Sequence, residues 1–409
     1  MIHYIYMTLS EELQWRGFVN QTTFADISDV DTPRTFYWGV DPSADSMHIG
    51  QLAMAMMIRA FMAHGHTAIL LVGGATGMVG DPGGKDKERD LKSIDEIEHN
   101  KAGIMNQYRM LFAEMPFTMV DNYDWFRDMN YLKFLRDIGK RVSLTQMLDR
   151  EFIKSRIGEA GGGISYAEFS YALIQGYDFL HLFREHDATL QIAGSDQWGN
   201  SVAGVEMIRK IDGGEAHVWT APLILDKTTG KKFGKSEGNA VWIDPTKTSV
   251  YKFYQFWLNV DDVGVADYLK IYTLITPHEY DLLMEEFRSN PSSRAAQKYL
   301  AYEVTKLVHG VDRADNARNI TSTLFGDTPF TQLLEEELTM LALEIPTTTA
   351  GNVLDALVMS GLVGSNGEAR RLVESDAISV NGEKVTTPDT TLPVPSLLKK
   401  GKNNFLLVK

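Results

Sequence analysis

Two apolar patterns alternate along the first part of the chain. Thr35–Val40 is a β-rich run that ends in the turn-forming pair Asp41-Pro42. From residue 47 to about residue 64 the spacing becomes helical, rich in Ala and Met, and Gly65 closes it. Thr67–Val72 is then continuously apolar, as in a parallel strand buried on both faces. Strand, helix and strand at this spacing predict a βαβ unit. Residues 117–120 and 189–192 read as further short strands with helical stretches between them. Upstream, Thr8 and Glu11 have capping-box spacing and predict a short first helix.

The expected fold class is therefore α/β. A Rossmann-like parallel sheet over residues 1–245 carries a largely helical insertion at about 130–190, which includes a glycine-rich loop at 158–163. Residues 246–325 show no convincing strand and predict an all-helical domain. Residues 326–350, with the acidic run Glu335-Glu-Glu337 and Pro346-Thr-Thr-Thr349, predict a linker. Residues 351–409 predict a small α+β domain of helices followed by strands. Asn381-Gly382 there signals a hairpin turn.

Composition changes this picture little. Of 409 residues 44% are hydrophobic and 23% charged, which fits a globular chain. No apolar run reaches the ~18–20 residues a bilayer span needs, and the N-terminus does not read as a signal peptide, so a cytoplasmic protein is expected. The chain has no cysteine, which excludes disulfides, thiolate zinc sites and a cysteine nucleophile. A net charge of −14 argues against nucleic acid as a partner. Residues 351–409 differ, with seven Lys/Arg against six Asp/Glu.

The candidate chemistry lies at the strand-to-helix joins. Asp45-Ser-Met-His48-Ile-Gly50-Gln51 falls where an open α/β sheet binds nucleotides, outside a strand's carboxyl end and at a helix N-terminus. His48 can donate to a phosphate oxygen, and Gly50 leaves room for an adenine or ribose. Lys231-Lys232-Phe-Gly-Lys235-Ser236 suits a loop that closes over a polyphosphate, although a lone basic cluster is more often a solvated turn. The glycine-rich stretch from Gly73 to Lys85 fails the P-loop pattern at Val79 and Asp86. Its glycines are expected to turn the backbone sharply and to deliver Asp81 to a cleft. Tyr171, Gln175 and Asp178 stand at i, i+4, i+7, a polar stripe on one helix face.

Taken together these stretches resemble the class I aminoacyl-tRNA synthetases. His48-Ile-Gly50 is similar to the first three positions of the HIGH signature, with Gln51 in place of the final histidine, and Lys232-Phe-Gly-Lys235-Ser236 is similar to KMSKS. The strand from Tyr37 to Asp41, the stretch from Phe169 to Asp178 and the strand and turn from Gln191 to Asn200 resemble the bacterial-type tyrosyl-tRNA synthetases.

That resemblance implies a tyrosine–tRNA ligase: ATP and L-tyrosine give tyrosyl-adenylate and pyrophosphate, and the tyrosyl group passes to tRNA(Tyr). It implies that Tyr37 and Asp178 hydrogen-bond the substrate phenol. Tyr171, Gln175 and Asp81 hold its ammonium, with Asn122 supporting that end, while Gln191 helps to finish the pocket. Gly39, Asp41, Gly50, Gly194, Asp196 and Gln197 meet the adenylate and the carboxylate region. His48, Lys232, Lys235 and Ser236 act on the phosphates. Mg²⁺ accompanies ATP, and no zinc is expected. The resemblance further implies anticodon reading by the helical domain and a small RNA-binding tail, where Arg370, Arg371 and Lys384 are the candidate tRNA contacts. It also implies a homodimer through the insertion, whose Phe134, Leu135 and Phe152 supply apolar surface. The rivals are a tryptophanyl-tRNA synthetase, a small adenylyltransferase and a non-catalytic RNA-binding protein with a synthetase-like body.

Overall fold

The computed structural model describes residues 7–81, 91–148, 153–154, 157, 163–236 and 239–409. They fall into two compact units, Met1–Thr248 with Val260–Leu300, and Ser249–Asn259 with Ala301–Lys409.

The first unit is built on a six-stranded sheet. Its strands are β1 (Gln21–Thr22), β2 (Thr35–Val40), β3 (Thr67–Val72), β4 (Phe117–Asp121), β5 (Ala188–Gly194) and β6 (His217–Ala221), in the order β1-β6-β5-β2-β3-β4. Only β1 runs antiparallel to its neighbour. The chain winds outward from β2 through β3 and β4, then returns to the other side of β2 with β5 and β6. The strand order thus reverses between β2 and β5, the place where a crevice opens beyond the carboxyl ends of parallel strands.

Alternation along the strands covers both faces of the sheet. Tyr37, Ile69 and Leu71 face the core formed with Phe179 and Leu180 of the helix Tyr166–His186 and Met207 and Ile208 of the helix Trp198–Asp212. On β2, Phe36 and Trp38 point the other way, where their rings lie 5.6 Å and 5.5 Å from Phe61 and Tyr108. The first helix, Leu9–Arg16, begins with the expected Thr8/Glu11 capping box. It ends in Arg16, a buried guanidinium that donates to the carbonyls of Lys270 (2.6 Å) and Thr273 (2.8 Å) and pairs with Glu12 at 2.6 Å. Those bonds tie the helix Val265–Tyr272 to the first unit.

The glycine-rich stretch turns directly from β3 at Val72 into a short helix, Gly74–Val79, and Asp81 follows it. A Cβ on Gly73 would come within 2.2 Å of the Asp41 carboxylate, so the glycine is there for close approach of an acid. Part of the stretch, including Lys85, lies outside the described residues, as do residues 158–162 of the insertion's glycine-rich loop.

The second unit carries the helices Val250–Leu258, Val311–Phe325 and Glu335–Ala342 and a five-stranded sheet. That sheet is β11 (Glu383–Lys384), β10 (Ile378–Val380), β12 (Ser396–Lys400), β13 (Asn404–Val408) and β9 (Thr347–Thr348), in that order. The predicted hairpin is present: Asn381 and Gly382 take φ of 52° and 92° between β10 and β11, as a two-residue primed turn requires. Leu398, Leu406 and Val408 face one core with the helix Val353–Met359. Leu397, Phe405 and Leu407 face another with Tyr251, Ile320 and Leu341.

The stretch expected as a linker therefore contains a helix and a strand. Its acidic run occupies the first helical turn, where negative charge is favourable. Glu337 turns back to accept from the Leu334 N–H at 2.7 Å, while Leu338 and Leu341 pack inward. Among the described residues, no helix is long and apolar enough to cross a membrane.

Candidate active site

One cavity of about 340 Å³ opens beyond the carboxyl ends of β2 and β5. Its walls bring together most of the residues singled out from sequence: Tyr37, Gly39 and Asp41 from β2 and its end, His48 and Gly50 from the following helix start, and Asp81. Tyr171, Gln175 and Asp178 line it from their helix, Gln191, Gly194, Asp196 and Gln197 from β5 and its turn, and Lys232 from the basic loop.

At one end sits a buried polar cluster. The Asp178 carboxylate is fully enclosed and accepts from Trp125 Nε1 at 2.9 Å and Asn122 Nδ2 at 3.1 Å. Neither donor carries charge. Burial drives its pKa up to about 8 against the opposing pull of those two bonds, and the nearby Asp41 and Asp121 carboxylates push the same way. Tyr37 is buried beside it, its phenol held protonated by the same desolvation. The Tyr37 hydroxyl and the amide oxygens of Gln175 and Gln191 are buried atoms with no partner among the described residues, a costly arrangement unless a ligand supplies one.

Toward the other end, Asp41 accepts from Thr76 Oγ1 at 2.6 Å and from the Tyr171 hydroxyl at 2.7 Å. Asp81 accepts from Gln197 Nε2 at 2.6 Å, and Asn200 Nδ2 in turn donates to Gln197 at 3.1 Å. Asn122 bridges the two ends: its amide group donates to Asp178 at 3.1 Å and to Thr76 Oγ1 at 3.0 Å, and its oxygen accepts from Ala75 N–H at 2.7 Å.

Trp125 and Thr76 escaped the sequence reading. Each reaches a partner more than thirty residues away, beyond any helical or strand period. The available signal was chemical: an indole N–H that is buried must find an acceptor.

His48 caps the helix Ile49–Ala63. Its Nδ1 accepts from Gly50 N–H at 3.0 Å, which fixes the neutral ring with its proton on Nε2. Gly50 lines the cavity, and a Cβ there would also meet the His48 ring at 2.8 Å. Gln51 completes the capping box by accepting from His48 N–H at 2.9 Å, a structural task for the residue that departs from the signature.

The two signature stretches are joined. Residues 47–49 run against 241–243 through Ile49 N–H to Val241 O and Ile243 N–H to Met47 O, each 3.0 Å. Val241 N–H donates to Gly234 O at 3.1 Å, leading into the small hairpin of β7 (Lys235–Ser236) and β8 (Asn239–Ala240). Phe233 stacks on Tyr268 with ring centres 4.0 Å apart. The backbone of Lys235 and Ser236 is described, but their side chains lie outside what is described.

Comparison with known proteins identifies the family. Residues 30–326 match the family of class I tRNA synthetases (W and Y). The chain belongs to this family. Residues 336–408 match the tyrosine–tRNA ligase SYY-like C-terminal domain. The synthetase is 42% identical to tyrosine–tRNA ligase 2 of Bacillus cereus, over 98% of this chain and 100% of that one. It is 43% identical to the tyrosine–tRNA ligase of Corynebacterium diphtheriae, over 98% and 99%. Among solved structures, the C-terminally truncated mitochondrial tyrosyl-tRNA synthetase of Aspergillus nidulans aligns with a TM-score of 0.70 and 31% identity, covering 78% of this chain and 94% of that one. Members of this ATP-dependent synthetase family take ATP as substrate.

Proposed function

We propose that the protein is a tyrosine–tRNA ligase, which activates L-tyrosine with MgATP and transfers it to the 3′-terminal ribose of tRNA(Tyr). The observation that carries this reading is the buried pair Tyr37 and Asp178, a hydroxyl without a partner beside a carboxylate held only by neutral donors. A phenol satisfies both. The indole of tryptophan, which offers one N–H and no acceptor, leaves the Tyr37 donor unpaired. The tyrosine C-terminal module and the names of the relatives point the same way.

In this reading the substrate ammonium lies among the acceptors of Gln175, Asp81 and Tyr171. Gln191 and Gln197 finish the pocket toward the carboxylate. The carboxylate attacks the α-phosphorus, the bond to the bridging oxygen breaks, and pyrophosphate leaves. His48 donates through Nε2, and Lys232 and Lys235 stabilise the charge that builds on the phosphates, with Ser236 beside them. Gly39, Asp41, Gly50, Gly194 and Asp196 border the adenylate. No protein nucleophile takes part; the work is positioning and electrostatics.

The RNA side of the proposal rests on residues 246–325 for the anticodon and residues 351–409 for the body of the tRNA. Arg370, Arg371 and Lys384 are exposed on the tail domain and suited to phosphates. A homodimer through the insertion is supported by exposed Tyr131, Leu132 and Tyr166. Phe134 instead packs on Tyr177 of its own chain, and Phe152 lies outside the described residues. Cytoplasmic location completes the reading.

Pyrophosphate exchange with each amino acid in turn tests the core of it. Exchange dependent on tyrosine is the expected result, and exchange with tryptophan, or with none, overturns it.

A smaller prediction concerns Gly234. Its φ is 73°, and a Cβ would meet Ile49 Cδ1 at 2.3 Å. Gly234→Ala therefore costs about 1–2 kcal/mol in the left-handed region alone. Adenylate formation should slow about tenfold while tyrosine affinity is unchanged, as read by rapid quench and equilibrium dialysis.

A further inference from the structure

We propose that the ion pair between Asp45 and Lys247 is a latch that positions the basic hairpin relative to His48, making both of them positioning residues for the ATP step. This rests on the adenylation reading above. Neither residue lines the cavity.

The Asp45 side of the latch is fixed from behind. Asn100, Gly103 and Gln107 form one stripe of the helix Ile94–Leu111, spaced i, i+3, i+7. Asn100 Nδ2 donates to Pro42 O at 3.0 Å, and Gln107 accepts from Met47 N–H at 2.6 Å while donating to Ser46 Oγ at 2.8 Å. A Cβ on Gly103 would come within 2.0 Å of Asp45 O, so helix and loop touch backbone to backbone. The loop that leads into His48 is thus anchored along its length.

The Lys247 side belongs to the segment after the hairpin. Lys247 Nζ lies 2.7 Å from Asp45 Oδ1 and 5.5 Å from the centre of the Trp242 ring. Trp242 pairs opposite His48, their rings 6.1 Å apart. Lys247 is held in a turn by its own N–H to Asp244 O at 3.1 Å, and Thr248 Oγ1 accepts from Trp242 N–H at 3.0 Å. The path therefore closes on itself, from Asp45 through His48 and Trp242 to Lys247 and back.

The consequence falls on Lys235. Residues 241–243 carry the position of 47–49 to Gly234, the residue before Lys235, and Gly234 also packs directly on Ile49. Two backbone bonds hold that link, and the latch keeps its far end from swinging. Lys247 gives Asp45 a shorter contact than His99, whose Nε2 is 3.6 Å from Oδ2. The pair is 32% and 30% exposed, so its effect is modest and falls with salt.

The experiment uses the full chain with Asp45→Asn, Lys247→Met, the double variant and the charge swap Asp45→Lys/Lys247→Asp. Single-turnover adenylate formation at subsaturating ATP and tyrosine Kd are both measured. Each single variant is expected to lose about three- to fivefold in the ATP step with tyrosine Kd unchanged. The double variant should be no worse than either single, and the swap should recover part of the loss. Unaltered ATP kinetics in the singles, or losses that add in the double, overturn the latch. So does a parallel loss of tyrosine affinity, which marks a general structural role. A wild type that forms no tyrosyl-adenylate overturns the adenylation reading itself, and the latch with it.

Discussion

Asp178→Asn is expected to cut the ratio of kcat/KM for tyrosine over phenylalanine by about ten- to a hundredfold, and to make the protein more stable at alkaline pH. The first effect follows from pairing. Tyrosine gives the buried carboxylate a proton and gives the Tyr37 hydroxyl a partner, whereas phenylalanine leaves both unmet. An unpaired buried group costs about 1–3 kcal/mol. An asparagine keeps the shape and can still accept from Trp125, but it accepts the phenol proton less strongly than an anion does.

The second effect follows from linkage. The folded-state pKa of Asp178 is about 8, well above the ordinary carboxylate value of 3.8. Between these values the folded protein holds a proton that the unfolded chain has released. Stability therefore falls as pH rises through that window, and above it the wild type carries the full cost of a buried anion. The advantage of Asp178→Asn should grow from about pH 4 to pH 8 and then level off. In the wild type the tyrosine-to-phenylalanine ratio should rise through pH 8, because the ionised form accepts the phenol proton more strongly than the neutral acid does. The amino groups of the two substrates titrate alike and cancel in the ratio. A denaturation series across pH and paired kinetics check both parts. A ratio that is flat with pH and unchanged in the variant sinks the phenol-binding role.

The parts of this site that sequence made visible are those carried by a period or a short motif. The stripe of Tyr171, Gln175 and Asp178 could be read because 3.6 residues per turn put those positions on one face, and all three line the cavity. The strands β2 and β3 and the helix between them were equally plain, since burial on both faces leaves an uninterrupted apolar run.

What stayed hidden depends on contacts between distant residues. Nothing near Asn122 in the chain says that it will hold Asp178, because that pairing exists only once β4 lies beside β3 and the helix Tyr166–His186 crosses over them. Nor does the sequence around Gly50 show that the His48 ring of the same chain also packs against it. The acidic run before Leu338 looked like part of a linker because composition alone does not distinguish a linker from a first helical turn.

Lys235→Ala is expected to slow adenylate formation by about a hundred- to a thousandfold and to leave tyrosine binding nearly unchanged. A charged donor aimed at a transferring phosphoryl group acts where negative charge develops, and deleting such a group costs roughly 2.7–4 kcal/mol. In the proposed reading tyrosine takes the buried end of the cavity, among Tyr37, Asp178 and Gln175, whereas Lys235 follows Gly234 in the hairpin beside Ile49 at the helix start. Removing an ammonium there leaves the phenol contacts untouched. The split between the two readouts is what separates this role from a structural one: a collapsed loop or a damaged fold moves both, and loss of a transition-state contact moves only the rate. The argument also ranks the two lysines. Lys232 lines the cavity on the near side of Phe233, whose ring is stacked on Tyr268, so it sits on an anchored part of the loop. Lys235 lies past Gly234, where the hairpin begins. If catalysis depends on that hairpin being held against residues 47–49, Lys235→Ala should cost more in rate than Lys232→Ala, while Gly234→Ala produces a weaker version of the same rate-only defect. Rapid-quench rates for the three variants, set beside their tyrosine Kd values, decide it. Equal losses in rate and affinity would reject the assignment.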